Sequence, residues 1–237
     1  SLYDLRIERE GFQGLVINGI QIFPRQTAIQ QCFLIESSRK IGSRADVINI
    51  QPNTLNGNYP AKIPEEVDKP LPAPTSGVVL AKPVIPEFIT VHQGSPNNTS
   101  ASNVTVRYKD YIKNVASSEI YSTWPESTIR ANVYAIISFT LNRIYTEWYR
   151  GKGKNYQITN STAYDHAFNY GRNIYDNISA IVDDIFSTYI RRYGRKQPLL
   201  TQYCDGKNVQ CPEWMTQWGS KYLGDQGKTP YEILTYF

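Results

Sequence analysis

Little in this chain points to a metal site, a nucleic-acid surface or a membrane span. Its 237 residues include three cysteines and two histidines. A structural zinc site takes four ligands at tight spacings, and His92 and His166 stand at no such spacing from Cys32, Cys204 or Cys211, so no metal and no cofactor are expected. Charged residues make up only 19%, and the net charge is +4. The densest basic stretch, Arg191, Arg192, Arg195 and Lys196, reads as the end of a helix, where cations suit the negative end of the dipole. With no basic block beyond it, nucleic acid is not an expected partner. No apolar run approaches the roughly 20 residues of a membrane helix, and no internal repeat is visible. The chain starts at Ser1 with no leader-like segment, so it reads as a mature product or a fragment.

The few cysteines still allow one bridge. Cys204 and Cys211 can close a small disulfide loop around DGKNVQ, or stand as two free thiols in a reducing compartment. The bridge is preferred because an exported chain is oxidised. Apolar residues reach 41%, enough for a packed core, and tyrosine is abundant at 18 residues. A surface rich in Tyr and Asn suits sugars, whose ring faces stack on aromatics while their hydroxyls pair with amides. It equally suits a Tyr-rich core under a neutral surface.

Punctuation divides the chain into three. Residues 1–36 alternate as short strands, in LYDLRIERE, GLVINGIQIF and TAIQQCFLIE. These are too few for a stable sandwich alone, so they pack on the rest or belong to a larger unit. Residues 37–86 hold Pro52, Pro60, Pro64, Pro70, Pro72, Pro74, Pro83 and Pro86 and read as a Pro-rich linker. Residues 87–237 form the main body. EFITVHQG and NVTVRY are strand-like, and DYIKNVASSEI is a short helix. Thr123 and Glu126 have capping-box spacing around Pro125, opening a helix that runs to about Arg150 and buries Ile129, Val133, Ile136, Ile144 and Trp148. YQITNST and LLTQYC are strand-like. Residues 173–193 read as another helix, with Ile174, Ile178, Ile181, Ile185 and Tyr189 on one face, and two short helices close the chain.

Two segments then stand out. The first is DYIKNVASSEIYSTWPESTIRANVYAIISFTLNRI, residues 110–144, and the second is MTQWGSKYLGDQGKTPYEILTYF, residues 215–237. Together they resemble the SpoIID/LytB family of sporulation lytic transglycosylases. In that family a short helix carries a Glu, a Trp-Pro follows, and a long helix has an Ala-Gln-Ala-Val-Ala-Ala-Arg-Thr core; the closing motif is Met-Ser-Gln-Trp-Gly-Ala, Gln-Gly and Tyr-Glu-Glu-Ile-Leu. Glu119 matches the Glu, Trp124 and Pro125 the Trp-Pro, and Ala131 and Ala135 two of the alanines. Gln217, Trp218, Gly219, Gln226, Gly227, Tyr231, Ile233 and Leu234 match the closing motif. Asn132, Ile137 and Ser138 depart from the family's Gln, Arg and Thr. Some members hold zinc through a Cys and a His-Cys pair. The corresponding ITNSTAYDHAF has no Cys, which again argues for no zinc. The first 36 residues resemble, more softly, the last strands of a transthyretin-like (carboxypeptidase-regulatory) sandwich.

The resemblance implies an α+β fold: a mainly helical domain with short strands over 87–237, preceded by a few strands of an incomplete sandwich and the linker. It implies a peptidoglycan glycan strand as partner, an extracellular, envelope or spore-cortex setting, and a neighbouring peptidoglycan-binding domain in a longer precursor. It makes Glu119 the catalytic acid. Such an enzyme protonates the bond between N-acetylmuramic acid and N-acetylglucosamine, and the same carboxylate then takes the muramyl C6 hydroxyl proton as a 1,6-anhydro ring closes. A neutral acid at pH 7 needs a raised pKa, which apolar surroundings such as Ile120, Tyr121 and Trp124 supply. A second carboxylate is not obvious, since neither Asp110 nor Glu126 has a spacing that forces contact. From the residues alone, Glu119 reads as a solvated side chain on a short helix. Trp218 and Gln217 are candidates for a sugar-binding wall or for packing beside Gly219, and Tyr121, Trp124, Tyr203 and Trp214 are further candidates for the wall. His166, next to Asp165, reads as a surface residue. A glycan-binding module without catalysis and a structural envelope protein remain as other roles.

Overall fold

A computed structural model describes residues 1–37, 45–53, 83–211 and 213–237. Its N-terminal sheet is built by β1 (Leu2–Ile7) antiparallel to β2 (Leu15–Gln21), with β4 (Asp46–Asn49) parallel on the other side of β2. Alternation along β2 turns Leu15 and Ile17 inward, where they form a small core with Ile20 and Ile50. Gly19 adopts a left-handed φ of +84°, and a Cβ there would sit 2.8 Å from the Ile50 carbonyl oxygen. The close passage of residue 50 therefore demands glycine. β4 falls inside the stretch expected to be linker: Val47 and Ile48 pair with Val16 and Ile17. The linker's prolines from Pro60 to Pro74 lie outside the described residues.

The sheet is fastened to the main body at several points. β3 (Ala28–Ile29) pairs with β8 (Ile174–Tyr175), and the Tyr175 hydroxyl donates to the Gln21 carbonyl at 2.9 Å. Phe23 packs on Tyr121 and Tyr175, and the Asn53 amide donates to the Ile120 carbonyl at 2.8 Å. The N-terminal strands thus pack on the rest of this chain.

The main body combines helices with small sheets. Among the described residues, β5 (Phe88–His92), β6 (Asn103–Arg107), β7 (Ile158–Thr159), β8, β9 (Tyr203–Cys204) and β10 (Met215–Thr216) interleave with five helices. These are α1 (Tyr108–Glu119), α2 (Glu126–Tyr145), α3 (Asp176–Ile185), α4 (Gln217–Asp225) and α5 (Pro230–Tyr236). None is long and apolar enough to cross a membrane. Helix α2 is central and buried all round, not along one face: Ala131, Ile137 and Leu141 are covered as fully as Ile129, Val133 and Ile136. Its buried hydroxyls return to its own backbone, Ser138 to the Tyr134 carbonyl at 2.8 Å and Thr140 to the Ile136 carbonyl at 2.7 Å. Asn132 donates to the Thr128 carbonyl and to Ser220 Oγ, both at 2.9 Å.

Three local expectations are corrected. The N-cap of α2 is Pro125, whose missing hydroxyl leaves no side-chain cap; Thr123 lies in the preceding turn. The capping box instead opens α5, where Thr229 accepts from the Glu232 N–H at 3.2 Å and Glu232 accepts from the Thr229 N–H at 2.9 Å. The helix expected over 173–193 forms only from Asp176 to Ile185, because β3 draws Ile174 and Tyr175 into a strand. Beyond it, Ser138 Oγ accepts the Ile190 N–H at 2.7 Å and Arg191 bridges to Pro198, so the basic cluster sits on an irregular turn and not at a helix end.

α4 crosses α2 where Gly224 meets Thr128, and a Cβ at Gly224 would overlap Thr128 Oγ1, which donates to the Ser220 carbonyl at 3.1 Å. Gly224→Ala is expected to destabilise the fold by about 1–3 kcal/mol, read from urea midpoints. An unchanged midpoint would show that the two helices are not in such close contact.

Candidate functional site

Helical spacing puts Tyr111, Val115 and Glu119 on one face of α1, and all three are fully buried. Glu119 is the last residue of the helix. Its Oε1 accepts the Ala167 N–H at 2.9 Å, and its Oε2 accepts the Tyr203 hydroxyl. Burial pushes its pKa up to about 8, against the pull of those two hydrogen bonds. The carboxyl is therefore mostly protonated at neutral pH. The solvated position that the residues alone implied is not what forms.

Tyr203 reaches Glu119 from β9, which runs parallel to β10, the strand that leads directly into α4. Cys204 and Cys211 are joined by a disulfide. Inside that loop, burial would raise the Asp205 carboxyl. The backbone N–H groups of Val209, Asn208 and Lys207 outweigh this and hold it below the usual range. The Asp205 carbonyl accepts the Trp218 N–H at 3.1 Å, and Lys207 Nζ lies 3.6 Å from the centre of a Trp218 ring. The bridge thus braces both Tyr203 and Trp218. Reducing it, or replacing both cysteines by serine, is expected to lower stability by about 2.5 kcal/mol on chain-entropy grounds. Urea unfolding with and without reductant measures the loss, and coincident curves would mean that no bridge constrains the chain.

The aromatic residues form one cluster: Trp124 and Trp218 with ring centres 5.1 Å apart, and Tyr121 at 5.6 Å from Trp124 and 6.4 Å from Trp218. Tyr121 and Trp218 are half-buried and keep surface for a sugar ring. Trp124 and Tyr203 are nearly covered, and Gln217 is fully buried. These three are covered by protein, whereas an open sugar-binding wall was expected of them. The expected close packing at Gly219 is visible, since a Cβ there would overlap Thr216 Oγ1, the N-cap acceptor of α4. Trp214 is half-buried.

His166 is not on the surface. It is fully buried, with Nδ1 2.9 Å from the Tyr111 hydroxyl, Phe139 at 4.6 Å between ring centres, and Tyr203 stacked at 6.1 Å. Burial, reinforced by the Arg143 charge, pushes its pKa down to about 3, so it is neutral. Its neighbour Asp165 points elsewhere, into an ion pair with Arg143 at 2.9 Å with both side chains enclosed. Asp165 also accepts from the Tyr149 hydroxyl at 2.6 Å and from the Thr159 N–H at 3.0 Å. The sequence reading did not single out Arg143; an Arg between the apolar positions Leu141 and Ile144 of α2 was the available signal. Among the described residues, no group of three or more His, Cys, Asp and Glu side chains is placed to hold a metal ion.

Outside this buried set lies a cleft of about 530 Å³ whose lining includes Ser118 and Ala167, the residue before Glu119 and the residue that donates to it. Gln51, Gln93, Asn160, Asn169 and Arg172 supply its polar groups. The loop that carries Ala167 is clamped to α1 by Asn114, which accepts the Asn169 N–H at 3.0 Å and donates to the Asn169 carbonyl at 2.8 Å. Asp110 and Glu126 are both exposed, and Glu126 is engaged by Arg130 at 2.8 Å. Compared with known proteins, the chain matches no family model, no curated protein and no solved structure.

Proposed function

We propose that this chain cleaves peptidoglycan glycan strands as a lytic transglycosylase, with Glu119 as the acid and then the base. The observation that carries the reading is a buried carboxyl with a pKa raised to about 8, oriented by Tyr203 and the Ala167 N–H, beside a cleft lined by its neighbours Ser118 and Ala167. A neutral carboxylic acid can protonate a glycosidic oxygen at neutral pH. The carboxylate left behind is in place to take the C6 hydroxyl proton of the muramyl sugar, and closure of the anhydro ring consumes no water. One carboxyl suffices for that chemistry, which agrees with the exposed positions of Asp110 and Glu126. Engagement requires the Tyr203 hydroxyl to give up Oε2 to the glycan. Tyr121 and Trp218 offer ring faces nearby, and the disulfide fits an oxidising envelope or spore-cortex setting.

The complete enclosure of Glu119 favours a second reading, a glycan-binding module without catalysis. Incubation with denuded peptidoglycan and mass spectrometry of the soluble products separates the two. Anhydromuramyl ends that vanish in Glu119→Gln are the expected result. No products, with binding to the wall retained, would leave the binding module.

A further inference from the structure

Between the N-terminal sheet and α1 runs a second groove, of about 550 Å³, which shares Val47, Ile48, Phe168, Tyr170 and Arg172 with the cleft beside Glu119. Its lining is mainly apolar, and several large apolar side chains stand open along it, including Phe33 at 79% and Ile35 at 59% exposure. This volume and lining belong to the range of small-molecule sites, roughly 300–1,000 Å³ and mostly apolar with a few fixed polar groups. The polar group here is Arg172, only 6% exposed. Its Nε donates to the Asn173 carbonyl at 2.8 Å, and its Nη1 is buried without a hydrogen-bond partner. Among the described residues Arg172 forms no ion pair. Asp46 and Asp110, the acidic residues of the groove, are exposed, and Asp46 is engaged by Gln13 at 3.0 Å. Burial lowers the Arg172 pKa to about 10, with the Tyr175 hydroxyl supporting its charge. A buried cation left without its counter-charge is costly, and a carboxylate supplies the strongest available hydrogen bonds to a guanidinium.

We infer that this groove binds a small carboxylate with an apolar body, its carboxylate on Arg172 and its body along Phe33, Ile35 and Val47. The site shares Arg172 with the cleft beside Glu119 but draws on none of the groups assigned to glycan cleavage, Glu119 and Tyr203. The test titrates the intact chain with decanoate and with neutral decanamide, both below their aggregation limits, followed by calorimetry and by thermal unfolding. Decanoate is expected to bind saturably and raise the Tm, with decanamide at least about tenfold weaker, as loss of a charge-assisted contact implies. Arg172→Met should stay folded, because it removes an uncompensated buried charge, and should erase the preference for decanoate. Phe33→Ser, at an exposed position, should weaken both ligands to the same degree. Absence of saturable decanoate binding, equal affinity for the two ligands, or decanoate binding undiminished in Arg172→Met would overturn the inference.

Discussion

Glu119→Gln is expected to be more stable than the parent protein at pH 8 and of similar stability below pH 4.5. The folded carboxyl titrates near 8, while the unfolded chain has the ordinary value of 4.5. Between those values the folded state holds a proton that the unfolded state has released, so stability falls as pH rises. The contribution is fully present below 4.5, falls by at most about 1.4 kcal/mol per pH unit through the window, and is fully lost above 8. Glutamine is neutral throughout and close in shape. Its amide oxygen accepts the Ala167 N–H, and its amino group can donate to the Tyr203 oxygen. The difference in unfolding free energy between the two proteins, measured in urea from pH 4.5 to 8.5, should therefore widen in favour of Gln by a few kcal/mol. Parallel pH profiles would mean that Glu119 ionises in the fold as easily as in water. The same substitution should cost glycan cleavage roughly 10²–10⁴-fold, the usual contribution of a positioned general acid. Gaining stability while losing activity is the signature of a group strained for function and is not expected of a structural carboxyl.

Asp165→Ala is expected to produce the largest loss of stability among the substitutions considered. It would leave the Arg143 guanidinium enclosed without its counter-ion and strand the donors of Tyr149 and Thr159. Breaking a buried pair on one side costs about 3–5 kcal/mol. Replacing both partners by apolar residues, Arg143→Met with Asp165→Leu, should recover part of that loss, because no charge is then left buried. Recovery is incomplete because Tyr149 and Thr159 still lose an acceptor. Denaturant midpoints for the two single variants and the double variant measure this coupling. Additive effects would show that the pair does not act as a unit. The pair also flanks His166, so its loss should loosen the packing on Tyr203 and reach the site indirectly.

Patterns decided by a residue's near neighbours were legible in the sequence. The existence of α1, of the long helix α2 after Trp124-Pro125 and of the two terminal helices follows from spacing and local chemistry, although α2 is buried all round and not along one face. What depended on distant partners was not. Ile174 and Tyr175 have helical spacing with Ile178, yet Ala28 and Ile29 claim them as a strand. Asp46–Asn49 lies just ahead of the Pro-rich stretch that starts at Pro52, but β2 offers an unpaired edge and takes it. The same holds at the site. His166, expected at the surface, and its neighbour Asp165 both point inward because Tyr111 and Arg143 wait there, 55 and 22 residues away in sequence. Glu119 was singled out only through the resemblance and read as solvated from the residues alone, because its raised pKa comes from burial by the surrounding fold.

The most direct test of the account is to observe the Glu119 carboxyl itself. With side-chain carboxyl ¹³C labelling and Glu119→Gln to assign the resonance, the account predicts a titration near pH 8 in the folded protein. A titration in the ordinary carboxylate range would contradict it, and would remove the neutral acid on which the proposed chemistry depends.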